Sequence, residues 1–275
     1  MANFGNRILT TFVPCLMVLI GNAPAFAQLF VGKAGSDTND CTSPAAPCLT
    51  IQAAVNKVPG GSLGVDISVG PGSYAESVNI FYARAMRIVG NCNDLSAVQI
   101  LTNGTAIWVQ DHAIGIIQCL TITATVVGAV GIAARQFPIV DIDRVRFSGF
   151  PQGHQIAISE SSRLSCLHGP NGEPVVVTGG SHTFAAAAGG SHLYLNCPIS
   201  FEGTSNQAFS YFTQCTELSV CKYSELSWTG PSITGKQLNC DNSDITLPSG
   251  TPPAGFTASI PGTGVDNPDS RCKIR

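Results

Sequence analysis

Three polar residues recur at almost constant spacing in the middle of the chain. They are Asp111, Gln136 and Glu160. If the fold brings them into one column, the carboxylates repel one another or share a cation such as Ca²⁺. A neighbouring arginine or histidine then acts on an acidic sugar as a base or as an electrostatic clamp. The candidate catalytic residues are Asp111, Glu160, Arg135 and Arg163, and the candidate substrate-binding residues are Gln110, Gln136 and His112.

A second charged cluster follows the first column of residues along the chain. Its polar members alternate with apolar residues, and they are Asp141, Asp143, Arg144 and Arg146. An alternation with a period of two is typical of a half-buried strand whose polar side chains face solvent. We therefore expect this cluster to form the solvated outer face of a strand, which is a structural role.

An apolar repeat of the same period determines where these residues lie. Its anchors are Ile107, Ile132, Ile156, Phe184 and Phe209, with one wider interval before Phe184. Short β-branched segments between turn residues fill each period, and none has helical periodicity. Three short strands in each period of about 25 residues, with one longer insertion, predict an all-β fold, a right-handed parallel β-helix built as a single-stranded solenoid. An antiparallel sandwich or barrel is the alternative.

A short helix is expected before the first coil. Thr50 is a suitable N-cap, and Pro59 with the following glycines ends the segment. Four apolar residues fall on one face of this helix, namely Ile51, Ala54, Val55 and Val58. The open apolar end of a β-helix otherwise templates association, so a helix at this position is predicted to cap it.

The opening of the chain resembles that of secreted β-helix proteins of the pectin-lyase-like superfamily. The similarity is carried by the segments 30–37, 47–55 and 67–76. It implies an exported β-helix, a fold that enzymes of the superfamily share with proteins of no known activity. Gly72 to Glu76 is similar to the Gly-x-Tyr-x-Glu element of pectin methylesterases, and Gln110-Asp111 resembles their Gln-Asp pair. The paired Asp-Asp of polygalacturonase-like enzymes is missing, so the resemblance implies no assigned catalytic centre.

The chain begins with a predicted signal peptide at residues 1–27. Arg7 provides its positive charge, Ile8 to Ile20 its apolar region, and Ala25-Phe26-Ala27 its cleavage site. The apolar run is shorter than the about 20 residues that a membrane-spanning helix needs. We expect a secreted or periplasmic protein without a membrane span. Its β-helix domain, with the N-terminal cap, would cover residues 28–247, and an irregular cover rich in Pro and Gly would cover residues 248–275.

The cysteines predict a disulfide framework. Cys15 lies in the signal peptide, so ten of the 11 cysteines remain in the mature chain. An even number in an exported protein is typical of disulfides. The prolines between Cys41 and Cys48 favour pairing of these two. The coil period favours Cys197 with Cys221 and Cys215 with Cys240, and less strongly Cys92 with Cys119. Without a C-x-x-C pair, and with five scattered histidines, no metal site is expected, although calcium stays possible.

Composition limits the possible partners. Only 11% of the residues are charged and the formal net charge is −3. Without a basic excess, the chain is not expected to bind nucleic acid. Our interpretation is contact with extracellular or cell-envelope polysaccharide, without an identifiable catalytic centre. The alternatives are a polysaccharide lyase or glycoside hydrolase that uses the Asp111 column, and a structural or adhesive surface protein.

Overall fold

A computed structural model describes residues 27–166, 174–202, 207–223, 228–229, 233–246, 265–266 and 273–274. The described strands pair in parallel and stack into a β-solenoid with three faces, which we call sheets A, B and C. After the strand Ala27–Val31 and the helix that follows it, the chain passes from sheet A to sheet B to sheet C in successive coils. The predicted all-β parallel β-helix is therefore confirmed.

Sheet A stacks ten strands or parts of strands. They are Ala27–Val31, Leu63–Val69, Ala85–Val89, the first part of Ile114–Ala124, the first part of Ile139–Ile158, Arg163–Cys166, His192–Leu195, Val220–Tyr223, Asp244–Thr246 and Lys273–Ile274. The two long strands continue from sheet A into sheet B at left-handed residues, Cys119 with φ 59° and Arg144 with φ 50°.

Sheets B and C complete each coil. Sheet B stacks Gly72–Ala75, Val98–Thr102, the end of Ile114–Ala124, the middle of Ile139–Ile158, the start of Val175–Ala187, Ile199–Glu202 and Trp228–Thr229. Sheet C stacks Val78–Ile80, Thr105–Gln110, Val130–Arg135, the end of Ile139–Ile158, the end of Val175–Ala187, Gln207–Thr216, Ile233–Asp241 and Val265–Asp266.

The capping helix lies at Ile51–Lys57, as predicted. Its N-cap Thr50 accepts a hydrogen bond from the amide of Ala53, and Ile51, Ala54 and Val55 are buried. The carboxylate of Glu76 accepts hydrogen bonds from the amides of Ile51 and Gln52 at 3.0 and 2.8 Å. Free amides at a helix start need such partners. The Gly72 to Glu76 element therefore holds the cap on the first coil.

Coil length is less uniform than the sequence suggests. Ile107, Ile132 and Ile156 are in register, as expected. The next two residues in this register are Ala185 and Thr213, and both of these steps are longer than the two before them. There are thus two longer coils and not one. The sequence period aligns Phe184 with Phe209, but the longer coils stack Phe184 on Phe212, with ring centroids 5.1 Å apart.

Four disulfides connect described cysteines. Cys41–Cys48 and Cys92–Cys119 agree with prediction, with Cα atoms 5.1 and 4.6 Å apart. The other two are Cys166–Cys197 and Cys215–Cys221, with Cα separations of 5.7 and 6.3 Å. Cys92–Cys119 and Cys166–Cys197 join neighbouring coils. Such a framework is typical of an extracellular protein.

The two pairings predicted from the coil period are therefore wrong. Cys221 is in register with Leu193, so the long coil places Cys197 beyond the expected position. Cys215 and Cys240 are in register, as the period predicts, yet Cys215 bonds to Cys221. Side chains in register on parallel strands point the same way, about 4.8 Å apart. A disulfide needs the Cβ atoms at about 3.8 Å, so residues in register are too far apart to bond without a shift of the backbone.

The two ends of the chain are only partly tested. The predicted signal peptide, apart from Ala27 in the first strand, lies outside the described residues and stays a prediction. In the predicted cover, Val265–Asp266 pairs with Leu238 and Asn239, and Lys273–Ile274 pairs with Asp244 and Ile245; the rest of it is not described. None of the helices in the described part of the chain is long and apolar enough to cross a membrane.

Candidate functional site

The predicted polar column lies at the corner between sheets C and A. Asp111, Gln136 and Glu160 occupy the same position in successive coils, with φ values of 55°, 67° and 57°. The amide of His112 donates to the carbonyl of Gln136 at 3.1 Å, and that of Phe137 donates to the carbonyl of Glu160 at 3.2 Å. These backbone bonds stack the corners on one another.

The column continues beyond Glu160 with residues that the sequence period did not place there. The amide of Ser161 donates to the carbonyl of Gly189, and the amide of Gly190 donates to that of Glu217. The uniform period had put Ala188 and Thr213 at these positions, and the two long coils shift the register. All of these corner pairs have positive φ, a conformation that glycine adopts without the steric cost that other residues incur.

The corner does not gather all candidate residues into one site. His112 and Phe137 stack on each other on the outside, with ring centroids 5.3 Å apart. Arg163 lies on sheet A, where its guanidinium stands 5.4 Å from the ring of Tyr194. Arg163 is therefore on a different sheet from Arg135. Gln110 and Arg135 are in register at the edge of sheet C, next to the corner.

A shallow trough on the outer surface of sheet C is the most complete concave feature near these residues. Ala133, Ala157 and Ala186 are in register on three successive strands and form its floor, and Trp108 stands before them in the same column. Four stacked strands span about 14 Å. The cavity has a volume of about 330 Å³, and Arg135, Ser159 and His154 also line it.

One side of the trough carries an aromatic ring and an exposed ion pair. The guanidinium of Arg135 lies 5.6 Å from the ring centre of Trp108. The same guanidinium donates to the Glu160 carboxylate at 3.1 Å, and both side chains are almost half exposed, at 46% and 45%. An exposed pair of this kind contributes only about 0–1 kcal/mol to stability. Both charged groups thus remain available to a ligand at little cost.

His154 lines the trough, and its ring contacts rings that lie outside the trough. His154 and His182 are 5.5 Å apart between ring centroids, and His182 and Tyr211 are 5.9 Å apart. Burial, and then the neighbouring His182, lower the pKa of His154 below its ordinary value. A lowered pKa keeps this imidazole neutral near pH 7.

The second charged cluster has a structural role. Asp143 is only 3% exposed, and its carboxylate accepts from Gln118 at 3.2 Å and lies 3.5 Å from Arg144. Asp141 accepts a hydrogen bond from the Ser165 hydroxyl. Our expectation of a fully solvated face is therefore wrong for Asp143, because the left-handed corner at Arg144 turns this carboxylate into the packed angle between sheets A and B.

Sequence reasoning missed the trough and the contact between His154 and His182. Trp108, Ala133, Ala157 and Ala186 recur at the lengths of successive coils. Alanine, however, is common on every face of a strand, so its recurrence alone does not indicate a binding surface. His154 and His182 appear scattered until the long coil between them is known. Within the described ranges, no three His, Cys, Asp or Glu side chains form a group able to hold a metal ion.

Comparisons with known proteins identify no family. No protein-family model matches the chain, and no curated protein matches it. A solved structure of a pectin methylesterase mutant in complex with a hexasaccharide is 13% identical, over 82% of this chain and 80% of that chain, with a TM-score of 0.40. Similarity at this level says nothing about the activity of this chain. By its own strand pairing and cross-links, the chain is a disulfide-bonded parallel β-helix protein with an N-terminal capping helix.

Proposed function

We propose that the trough on sheet C binds a polysaccharide chain outside the cytoplasm. The observation that carries the proposal is the position of Trp108. Its half-buried ring is in register with Ala133, Ala157 and Ala186, which form the floor of the trough. A flat ring beside a smooth, open floor suits the apolar face of a sugar, while polar side chains at the rim suit its hydroxyl groups.

The rim chemistry supports the same proposal. Arg135 donates to Glu160 and also lies over Trp108, so the ring, a donor group and an acceptor group are held together. Ser159 and His154 add hydroxyl and imidazole groups along the trough. A carbohydrate needs both hydrogen-bond donors and acceptors beside an apolar platform, and this trough offers all three. The guanidinium also provides a partner for the carboxylate of an acidic sugar.

Replacing Trp108 by alanine is expected to weaken polysaccharide binding about tenfold. The expected loss corresponds to about 1.4 kcal/mol, the upper range for a single stacked aromatic pair. Affinity electrophoresis and calorimetry of the oxidised protein, with a panel of acidic and neutral polysaccharides, measure the effect. Tyr194→Ala is the matched control, because Tyr194 also has an arginine over its ring but lies on sheet A. Equal losses in both variants, or none in Trp108→Ala, contradict the proposal.

The enzyme alternative rests on the Asp111, Gln136 and Glu160 column. If the protein is a lyase or hydrolase acting through it, Asp111→Ala or Glu160→Ala abolishes turnover while the fold survives. Mass spectrometry of polysaccharide after incubation, with and without Ca²⁺, detects shortened chains, and an unsaturated end identifies a lyase. Intact polymer in all incubations argues against the enzyme, and retention by the polysaccharide then separates binding from a structural role. Turnover that is unchanged in both variants removes the column from the mechanism.

The remaining alternative is a structural or adhesive surface protein. It predicts that neither the wild-type chain nor Trp108→Ala is retained by any polysaccharide on the panel. The exposed residues at the C-to-A corner, Tyr82, Phe137 and Leu218, are the surface such a role would use first. The polysaccharide measurement therefore separates all three functions.

A further inference from the structure

The column of residues that forms the floor of the trough continues for two strands beyond it. Ala186 is in register with Gln214 on the next strand of sheet C, and Gln214 is in register with Asn239 on the strand after that. Together with Trp108 and the alanines of the floor, they form a row across six neighbouring strands, which spans about 24 Å at the usual strand spacing. One end of this row is aromatic and apolar, and the other end carries two amides.

The two amides lie on the outer surface of sheet C. Gln214 stands between Thr213 and Cys215, which are fully buried, and Asn239 precedes the fully buried Cys240. Side chains alternate between the two faces of a strand, so both amides face outward, and both residues are partly exposed. Within the described ranges, neither amide side chain forms a hydrogen bond. Each therefore has donor and acceptor atoms available for a ligand.

The charges beside the row do not favour a polyanion. At the amide end, Asp241 and Glu217 lie toward the C-to-A corner, and Lys236 precedes Asn239 on the same strand. At the aromatic end, the guanidinium of Arg135 is already paired with the carboxylate of Glu160. Acidic groups thus outnumber basic ones in this set. A ligand with a carboxylate on each sugar gains no net attraction from them.

We propose that the row binds a neutral, extended polysaccharide of the β-1,4-linked type, which lies across the strands. The inference rests on the proposed polysaccharide function and names its substrate class. A β-1,4-linked chain is a straight, flat ribbon, and residues in register on parallel strands form a straight row. One sugar of such a chain advances by about one strand spacing, so about five to six sugars span the row.

The two ends of the row have different tasks in this arrangement. The ring of Trp108 stacks on the apolar face of one sugar. Gln214 and Asn239 exchange hydrogen bonds with the hydroxyl groups of sugars at the far end. A chain of three sugars is too short to reach from the ring to both amides. The amides therefore contribute to the binding of long chains and not of short ones.

Calorimetry of the oxidised protein with cello-oligosaccharides and xylo-oligosaccharides of two to eight sugars tests the inference. We expect the affinity for at least one series to rise up to about six sugars, the length of the row. Gln214→Ala and Asn239→Ala are each expected to weaken binding of the six-sugar chain about fivefold, the effect of one neutral hydrogen bond. Binding of the three-sugar chain is expected to stay unchanged in both variants.

Two comparisons serve as controls. Gln99→Ala removes an amide from sheet B, where the side chain of Gln99 donates to the carbonyl of Ser96 at 3.1 Å, and we expect no loss of affinity. Oligogalacturonides of the same lengths are the acidic probes, and we expect them to bind more weakly than the neutral series. Circular dichroism verifies that each variant is folded.

Several results overturn the inference. They are equal losses for the three-sugar and six-sugar chains, no loss in either amide variant, and a loss in Gln99→Ala as large as that in Gln214→Ala. Tighter binding of the acidic six-sugar chain also overturns it. If that binding still depends on Trp108, the proposed function stands and only the substrate class is wrong. If no oligosaccharide and no polysaccharide binds, both proposals fail.

Discussion

Replacing Cys166 and Cys197 together by alanine is expected to lower the free energy of unfolding by about 3–4 kcal/mol. The two cysteines have a sequence separation of 31 and join neighbouring coils, with Cα atoms 5.7 Å apart. A cross-link of this loop length removes that much chain entropy from the unfolded state in the loop-closure model. Guanidinium denaturation followed by circular dichroism measures the loss.

The Cys41–Cys48 pair is the matched control for this prediction. Its loop is much shorter, with a sequence separation of 7, so the same model gives about 2–2.5 kcal/mol. A loss from the inter-coil pair that is smaller than the loss from the short loop contradicts the argument. Peptide mapping under non-reducing conditions tests the connectivity itself. A cross-linked peptide containing Cys197 and Cys221 would falsify the pairing described above.

Replacing Phe184 by alanine is expected to cost about 3–5 kcal/mol of unfolding free energy. Phe184 is fully buried inside the solenoid, stacks on Phe212 at 5.1 Å between ring centroids, and meets Phe147 edge-on at 6.4 Å. Truncating a buried phenylalanine loses its transfer free energy and leaves a cavity. The interior here is a continuous stack of rings, so the neighbouring coils have little freedom to collapse into the gap.

Phe137→Ala is the control for the core prediction. Phe137 is 57% exposed at the C-to-A corner, and its truncation is expected to change stability by no more than about 0.5 kcal/mol. Thermal and guanidinium denaturation compare the two variants. If Phe184→Ala does not fold, Phe184→Leu retains most of the volume and a smaller loss is expected. Similar stability of Phe184→Ala and Phe137→Ala contradicts the described core.

The polar column of Asp111, Gln136 and Glu160 shows which features of the candidate site the sequence predicts. Asp111, Gln136 and Glu160 were aligned from their nearly constant spacing alone, and the structure stacks them at one corner. Their left-handed conformation was not foreseeable, because none of the three is a glycine. Arg163 was grouped with them by its nearness in sequence, but the next turn of the chain carries it onto sheet A.

The trough depends on contacts that no local pattern contains. Trp108 and the alanines of the floor become one surface only because parallel strands place residues a coil apart side by side. His154 and His182 meet because a longer coil follows the regular ones, as the register of Ile156 with Ala185 shows. A uniform period places the second histidine elsewhere.

Local sequence patterns are enough to specify the type of fold and its capped start. Short β-branched segments between turns specify strands, and Thr50 with its four apolar followers specifies the helix, because both patterns depend on local backbone preference and on which side chains avoid water. The register of the two long coils depends instead on packing between strands that are distant in the chain. Shifting a strand by one residue reverses which side chains face inward. The register therefore determines three features that local patterns leave open. They are the disulfide partners of Cys197 and Cys215, the stacking of Phe184 on Phe212, and the surface shared by Trp108 and His154.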